Sequence, residues 1–241
     1  MLSHDEMLKL KRWNTPTIYN GWEAIAKRDR LEVLCNREEV RDYMEYAGPM
    51  IGRAVTVVVD PSDTSALEHK KAHVLAYRKY VASVPGPKIV IVKDLGSPDR
   101  IIGSFWGEVN ANIHKALGCV GTITDGAIRD VDEMRNAGFK TLARRLCVGH
   151  AYSMPLQWGV DVEIFGCPVK SSDLIHADKH GFIIIPEEDQ KELLASVLFM
   201  DANECETLIP TARNATGKSL EQILQELSEA EEHFTLAKRA H

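Results

Sequence analysis

A run of six residues, Ala54 to Val59, constrains the fold of this chain more than any other stretch. It reads AVTVVV, so five of its six residues are β-branched. Such side chains lose rotamer freedom in a helix and pack well on a pleated sheet. Asp60-Pro61 ends the run, because proline cannot continue a hydrogen-bonded ladder. The pattern predicts a core strand over residues 51–59.

Helical and strand-like segments alternate after this strand. Good helix formers occupy residues 64–81, Pro85-Gly86-Pro87 breaks the chain, and residues 88–92 form an apolar run. The same reasoning predicts a helix over 108–115, strands over 119–124 and 141–148 around a helix over 131–136, and short strands over 160–165, 174–176 and 182–185. The late short strands are typical of a small antiparallel or barrel-like unit. The alternation indicates an α/β protein.

Helices are expected at both ends of the chain. Apolar residues at helical intervals predict two short helices over 2–12 and 17–29, separated by Asn14-Thr15-Pro16. The last helix carries an apolar stripe that needs a partner surface, such as a neighbouring subunit. The stripe consists of Leu220, Ile223, Leu224, Leu227 and Phe234.

Composition excludes several classes of function. The net charge is −6 and the basic residues are scattered, which opposes direct binding of nucleic acid. Five cysteines, without a Cys-x-x-Cys pair, indicate a reducing compartment and no structural disulfides. No apolar run approaches the length that spans a membrane, and the charged N-terminus lacks the apolar region of a signal peptide. We therefore expect a soluble cytoplasmic protein that does not bind membranes.

The stretch from Gly103 to Asp130 contains the residues that are best suited to ligand binding and catalysis. Gly107 lacks a Cβ and precedes a helix start, so the N–H groups of residues 107–110 can face an anion. Asp125-Gly126 is predicted to turn the chain at the end of the following strand, where open α/β sheets bind ligands. Arg129 can clamp a carboxylate in bidentate fashion, and Asp130 can hold a hard cation.

This stretch resembles the RraA-like family, which includes the regulator of RNase E activity A and the metal-dependent 4-hydroxy-4-methyl-2-oxoglutarate aldolases. In that family an acidic residue follows a glycine, twenty residues intervene, and an Arg-Asp pair comes next. Here Glu108, residues 109–128 and Arg129-Asp130 match that spacing, although many aldolases have Asp where Glu108 stands. The likeness extends from Asn14-Thr15-Pro16 to Pro186 and is loose beyond it.

The resemblance implies a fold and a division of the chain. It implies one RraA-like domain over 1–241, with N-terminal helices in 1–48, an α/β core in 49–186 and a C-terminal helical extension in 187–241. The expected architecture is a layered α/β/β/α, swivelling-domain-like fold with a mixed central sheet or a small barrel. It also implies a homotrimer or hexamer with the site between subunits.

The resemblance further implies a class II aldolase that releases pyruvate from 4-hydroxy-2-keto acids and decarboxylates oxaloacetate. Asp130 would hold Mg²⁺ or Mn²⁺, Arg129 would bind substrate oxygens, and Glu108 would orient a water for proton transfer. The backbone of Gly107, Glu108, Val109 and Asn110 would bind the pyruvyl carboxylate. The implied alternative is a regulator without catalysis that binds and inhibits a ribonuclease.

Simpler interpretations of these and other residues stay open. Arg129-Asp130 alone would be an ordinary exposed ion pair, and Glu108 alone would favour the helix dipole. His69 and His73 have the i, i+4 spacing of a zinc site, but no third ligand follows, so a solvated face is favoured. Trp106 fits a cavity wall and core burial equally well. Packing is preferred for His114, and turn formation for Asp178 and His180.

Overall fold

The computed structural model of the protein describes residues 2–65 and 67–240. Its helices are α1 (His4–Leu10), α2 (Thr15–Ile25), α3 (Lys70–Ser83), α4 (Glu108–Ala116), α5 (Val131–Asn136), α6 (Gln190–Glu206), α7 (Leu208–Arg213) and α8 (Leu220–Ala240). Its strands are β1 (Arg41–Asp42), β2 (Met50–Val59), β3 (Lys88–Asp94), β4 (Ser104–Trp106), β5 (Cys119–Ile128), β6 (Lys140–Leu146), β7 (Pro155–Trp158), β8 (Val162–Ile164), β9 (Cys167–Val169), β10 (Leu174–Asp178) and β11 (Gly181–Ile185).

A mixed sheet forms the centre of the described structure. Its main path runs β1-β6-β5-β3-β2-β10-β11, while β4 pairs with β5 and β7 pairs with β2. The pairs β2/β3, β3/β5, β4/β5 and β5/β6 are parallel, and β1, β7, β10 and β11 add antiparallel edges. The predicted α/β class with a mixed central sheet is confirmed.

The two faces of β2 explain how the layers pack. Val55 and Val57 join an apolar cluster with Tyr77 of α3 and residues of α4 and α5. Residues of alternate parity, such as Ala54 and Val58, pack on the other side against the separate β8/β9 hairpin. Because β2 is buried on both faces, its sequence is a continuous apolar run without polar alternation. Helices therefore cover one face of the sheet and the hairpin covers the other.

The N-terminal helices and α6 form a third apolar cluster against β10 and β11. Trp22 of α2 is buried, and its Nε1 donates to Asp189 Oδ2 at 2.9 Å. Gly21 lets α2 approach α6 closely, because an added Cβ would lie 2.4 Å from Val197 Cγ2. The ends of the described chain are thus packed together.

Several expected boundaries are wrong. Asp125-Gly126 is not a turn: β5 continues to Ile128, and both residues lie in the strand where its pairing with β6 shifts register. The bulge accommodates the dipeptide that would otherwise favour a hairpin. The helix expected over 64–81 begins at Lys70, and the strand expected over 160–165 covers only Val162–Ile164.

The late strands are arranged differently from the expected small unit. β10 pairs with β2, so β10 and β11 extend the main sheet, whereas β8 and β9 pair with each other in a separate two-stranded sheet. The short strands β4 and β7 were not predicted, because three or four residues give too little periodicity. Pairing across the sheet, rather than local pattern, places these segments.

The last helix is only partly covered. Ala230 of α8 is buried, and Asn203 Nδ2 of α6 donates to the Phe234 carbonyl at 3.1 Å. Leu220 and Leu224 of the expected stripe remain 71% and 58% exposed. Among the described residues, no helix is long and apolar enough to cross a membrane.

Candidate functional site

The parallel pairing of β4 with β5 creates the candidate site. Trp106 at the end of β4 pairs with Ile128 at the end of β5, so the residues that follow each strand lie side by side. Gly107-Glu108 follows β4 and begins α4, while Arg129-Asp130 follows β5 and precedes α5. The twenty residues between the two pairs are α4 and its return along β5. The predicted constellation is therefore brought together in space.

Asp130 contacts the start of α4. Its Oδ2 accepts a hydrogen bond from the Glu108 backbone N–H at 3.1 Å. Gly107 is the N-cap of α4 and has no side chain with which to cap it, so the Asp130 carboxylate serves one of the free N–H groups instead. Asp130 is in the left-handed region, with φ of 54° and ψ of 47°, which aspartate tolerates better than most residues.

Gly107 is required because Asp130 and Arg129 approach its backbone closely, and not because its backbone conformation is unusual. Its φ of −175° is extended and open to any residue. A Cβ at this position would lie 2.6 Å from Asp130 Oδ2 and 3.2 Å from Arg129 Nε. Only glycine leaves room for both charged groups against the helix start.

Arg129 is held loosely by its neighbours. Its Nε lies 3.7 Å from Asp130 Oδ2, and its Nη1 donates to the Val148 carbonyl at 3.4 Å. The two side chains of the pair are 36% and 34% exposed, so each can meet a ligand. The pair alone would stabilise the fold little, since exposed ion pairs contribute about 0–1 kcal/mol.

The first turn of α4 offers backbone donors. The Glu108 N–H is engaged by Asp130, whereas the N–H groups of Val109 and Asn110 have no partner within the helix. The Asn110 side chain is already used, because its Nδ2 donates to the Phe105 carbonyl at 2.6 Å. The Val109 side chain is 73% exposed, and the Glu108 side chain is also exposed. The backbone N–H groups of Val109 and Asn110 are therefore placed to contribute to the binding of an anion.

A cavity of about 330 Å³ lies beside this helix start. Gly107, Val109, Asn110 and Arg129 are among its lining residues. The other lining residues come from α3, β4, His114 of α4 and the segment 150–155. Glu108 and Asp130 are not among its lining residues. The size is at the lower end of the range of about 300–1,000 Å³ that small-molecule sites occupy.

Aromatic side chains form the inner wall of this cavity. His114 is buried, its Nε2 lies 2.9 Å from the Tyr77 hydroxyl, and its Nδ1 lies 2.7 Å from the Asn110 carbonyl. Burial lowers the pKa of His114 to about 4, so the imidazole is neutral near pH 7. His114 therefore packs in the core, as expected, and also lines the cavity. Trp106 is both buried and part of the wall, and its Nε1 has no partner among the described residues.

A second set of carboxylates supports the strand that leads to Arg129. Asp125 Oδ1 accepts from the Asp94 N–H at 2.8 Å, and its Oδ2 accepts from Lys93 Nζ at 2.7 Å. Burial raises the pKa of Asp94 to about 6 and also raises the pKa of Asp125. These contacts fix the end of β3 to β5. This role of Asp125 was not predicted, because the sequence pattern placed the residue in a turn.

Other histidines and carboxylates have structural partners. His73 Nε2 lies 2.6 Å from the Pro155 carbonyl, and its ring meets Trp158 edge to face. Asp178 accepts from the Thr15 N–H at 2.8 Å and from the His180 N–H at 2.9 Å. The solvated face expected for His69 and His73 is therefore wrong for His73, which is half-buried against Trp158, whereas His69 is exposed.

The residues at the helix start fit a hydrated divalent ion. Within residues 2–65 and 67–240, no group of three or more His, Cys, Asp or Glu side chains could enclose a metal. Mg²⁺ does not need such a cage, because it keeps several waters and binds through one or two carboxylates plus the substrate. Asp130 supplies one carboxylate in the space that the missing Cβ of Gly107 leaves open.

Comparison with known proteins gives the family context. The model of the RraA-like family, described as Aldolase/RraA, matches residues 15–184. A putative 4-hydroxy-4-methyl-2-oxoglutarate aldolase of Halalkalibacterium halodurans is 27% identical over 167 residues, covering 69% of this chain and 73% of that protein. Protein DlpA of Legionella pneumophila is 22% identical over 209 residues, which are 80% of this chain. The match covers 32% of DlpA, so this chain spans only about a third of the length of that protein.

Solved structures share the fold. An uncharacterised protein of Pseudomonas syringae pv. tomato has a TM-score of 0.69 at 19% identity, over 93% of this chain and 94% of that one. Streptomyces coelicolor RraAS2, described as an unusual member of the RNase ES inhibitor RraA protein family, has a TM-score of 0.64 at 18% identity, over 85% and 95% of the two chains. The expected layered fold is confirmed by these neighbours.

Proposed function

Because the chain belongs to the RraA-like family, whose members include aldolases and RraA regulators, we propose that it is a divalent-metal-dependent carbon–carbon lyase. Its substrates would be 4-hydroxy-2-keto acids that yield pyruvate, and oxaloacetate, which yields pyruvate on decarboxylation. The observation that carries the proposal is the meeting of Gly107-Glu108 with Arg129-Asp130 at the ends of β4 and β5. An inhibitory surface would not require this combination of residues beside a cavity.

Arg129 and the helix start bind the keto acid in this proposal. Arg129 lines the cavity, and its guanidinium would donate to a carboxylate or keto oxygen of the substrate. The backbone N–H groups of Val109 and Asn110, at the positive end of α4, hold the pyruvyl carboxylate. Together they orient the bond that breaks.

Asp130 would hold Mg²⁺ or Mn²⁺, and the contact between its Oδ2 and the Glu108 N–H fixes the carboxylate in position. When bound, the ion supplies Lewis-acid stabilisation of the negative charge that develops on the keto oxygen. The positive charge of Arg129 would also stabilise the negative charge on the keto oxygen.

Glu108 would move the proton. Its exposed carboxylate is free to accept, through a water, the proton of the substrate hydroxyl, and to return it to the carbon that becomes the pyruvate methyl group. Decarboxylation of oxaloacetate needs only the second transfer. A glutamate reaches one methylene further than the aspartate found in many aldolases of the family.

A second copy of the chain would complete the site. Val148, whose carbonyl accepts from Arg129, is 91% exposed, and Val109 in the first turn of α4 is 73% exposed. Apolar side chains so open beside charged groups support an interface there. This agrees with the trimer or hexamer that the family resemblance implies.

The test is pyruvate release from oxaloacetate with Mg²⁺ and with EDTA. We expect EDTA and Asp130→Ala to abolish turnover. Asp130→Asn keeps an oxygen that can accept from the Glu108 N–H but lacks the negative charge, so it should fold normally and be inactive as well. Asp132→Asn, on the exposed side of α5, is the matched control and should be fully active.

Turnover that survives both EDTA and Asp130→Asn would refute the proposal. If the wild-type protein folds but releases no pyruvate from either substrate class, the alternative of a regulator that binds a ribonuclease takes its place. That alternative is tested by inhibition of a purified ribonuclease E-type enzyme.

A further inference from the structure

The charge of the cavity beside α4 has one sign. Three cationic side chains line it, Lys70 and Arg78 from α3 and Arg129 from the end of β5. No aspartate or glutamate is among the described residues that line it. A concave site with this composition favours an anionic ligand, and one with more negative charge than a single carboxylate carries.

One face of α3 turns toward the cavity. Lys70, Val74, Tyr77 and Arg78 lie at positions i, i+4, i+7 and i+8 of the helix, which places them in one row. Tyr77 is buried in the core and its hydroxyl contacts His114, so it fixes the rotation of the helix. Arg78, on the same face of the helix, lines the cavity and is half-buried.

Arg78 has no partner of its own. It makes no hydrogen bond and no ion pair with any residue in 2–65 or 67–240, although it is half-buried. By contrast, Arg28 and Arg144 each pair with a glutamate, at 2.5 and 2.6 Å. A partly desolvated guanidinium without a counterion is costly unless a ligand supplies the charge.

We propose that Arg78, assisted by Lys70, binds a second carboxylate at the α3 side of the cavity. Oxaloacetate, one of the proposed substrates, has a carboxylate at each end, so Arg129 and the start of α4 would hold one and Arg78 would hold the other. The apolar side chains of Val74, Phe105 and Met154, which also line the cavity, contact the carbon chain between them. This assignment rests on the proposed function and names the residue that sets its preference for diacids.

The test compares two inert keto acids of equal chain length. 2-Oxoglutarate has a distal carboxylate and 2-oxopentanoate has a methyl group in its place. We expect the wild-type protein, titrated calorimetrically with Mg²⁺ present, to bind 2-oxoglutarate at least tenfold more tightly. Arg78→Gln should reduce this preference by about ten- to a hundredfold, the loss typical of a hydrogen bond to a charged group. Its affinity for 2-oxopentanoate should be unchanged.

Matched controls come from the same helix. Lys79→Gln and Lys71→Gln remove a charge from exposed positions next to Arg78 and Lys70 that do not line the cavity, and should leave the preference intact. Arg78→Lys should recover part of it. Lys70→Gln provides a second reduced variant should Arg78→Gln unfold.

Two results would overturn the subsite: a wild-type protein that binds both probes equally or neither, or a preference that Arg78→Gln and Lys70→Gln leave unchanged. Neither measurement involves turnover. Failure of the subsite is therefore distinguishable from failure of the lyase proposal, which the response of oxaloacetate turnover to EDTA and Asp130→Asn decides.

Discussion

Gly107→Ala is expected to inactivate the protein without unfolding it. The added Cβ would lie 2.6 Å from Asp130 Oδ2, so the carboxylate must withdraw to at least 3.4 Å, a displacement of about 0.8 Å. That movement disturbs the 3.1 Å bond to the Glu108 N–H and the position in which Asp130 would hold an ion. Misplacement of a reacting group by about 1 Å can lower a rate by roughly a hundredfold. We expect a loss of that order in kcat/KM for oxaloacetate.

The cost to stability should be small. The extended φ of Gly107 suits alanine, and replacing glycine by alanine at an N-cap costs about 1 kcal/mol. In a chain of this length, 1 kcal/mol lowers Tm by about 2–4 °C. Activity should therefore fall far more than thermal stability does.

Gly149→Ala is the matched control for this experiment. A Cβ at Gly149 meets nothing within 4 Å, so the same chemical change is made near the site without a clash. Pyruvate release is followed by a coupled assay, and unfolding by circular dichroism. Equal activity of the two variants would refute the argument that Gly107 makes room for Asp130, and so would a Gly107→Ala protein that does not fold.

Three further substitutions test the energetics of the fold. Asp94→Asn should stabilise the protein by up to about 3 kcal/mol near pH 8, because burial raises the pKa of Asp94 to about 6. This gain should vanish below pH 4, where the aspartate is neutral in both the folded and the unfolded state. Urea unfolding at the two pH values checks this, and no gain at pH 8 would contradict it. The folded state lowers the pKa of His114 to about 4, so this histidine by itself should make the protein less stable as the pH drops from 6.5 toward 4. Compared with the wild type at each pH, His114→Gln should therefore lose about 3 kcal/mol less stability over that range in a pH series of unfolding curves, and parallel curves for the two proteins would count against it. Lys140→Ala should lower the free energy of unfolding by about 3–5 kcal/mol, because it leaves the buried Asp42 carboxylate, 2.5 Å from Lys140 Nζ, without its partner. The double variant Asp42→Asn with Lys140→Met should recover much of that loss in the same denaturation assay.

Local sequence patterns predicted much of the secondary structure. The β-branched run of β2 needs no tertiary information, because such side chains favour a buried strand over a helix. Likewise the start of α4 at Glu108 and the whole of α5 follow from residue composition and from the glycines that bound them. The helix predicted over 64–81 begins and ends later, at residues 70 and 83, and the strand predicted over 160–165 is shorter, because helix and strand ends depend on what they pack against.

The candidate site divides in the same way. The family interval placed Gly107-Glu108 and Arg129-Asp130 in one candidate site, and the pairing of β4 with β5 puts the two dipeptides side by side. Their roles and the division of the chain over 1–241 stay predictions. Arg78 could not be identified, because an arginine on a helix is usually exposed and its neighbours across the cavity lie far away in sequence. Its i+8 spacing from Lys70 was the only local signal.

What the sequence determined by itself is which residues could perform chemistry and which segments prefer helix or strand, because rotamer freedom, hydrogen-bond capacity and the missing Cβ of glycine are properties of single residues. Only the tertiary structure decided which of these residues contact one another. Parallel pairing set Gly107 against Asp130, a bulge absorbed Asp125-Gly126 into a strand, and the packing of Tyr77 turned Arg78 toward the cavity. Each depends on contacts between segments distant in the chain, whose energies no local pattern contains.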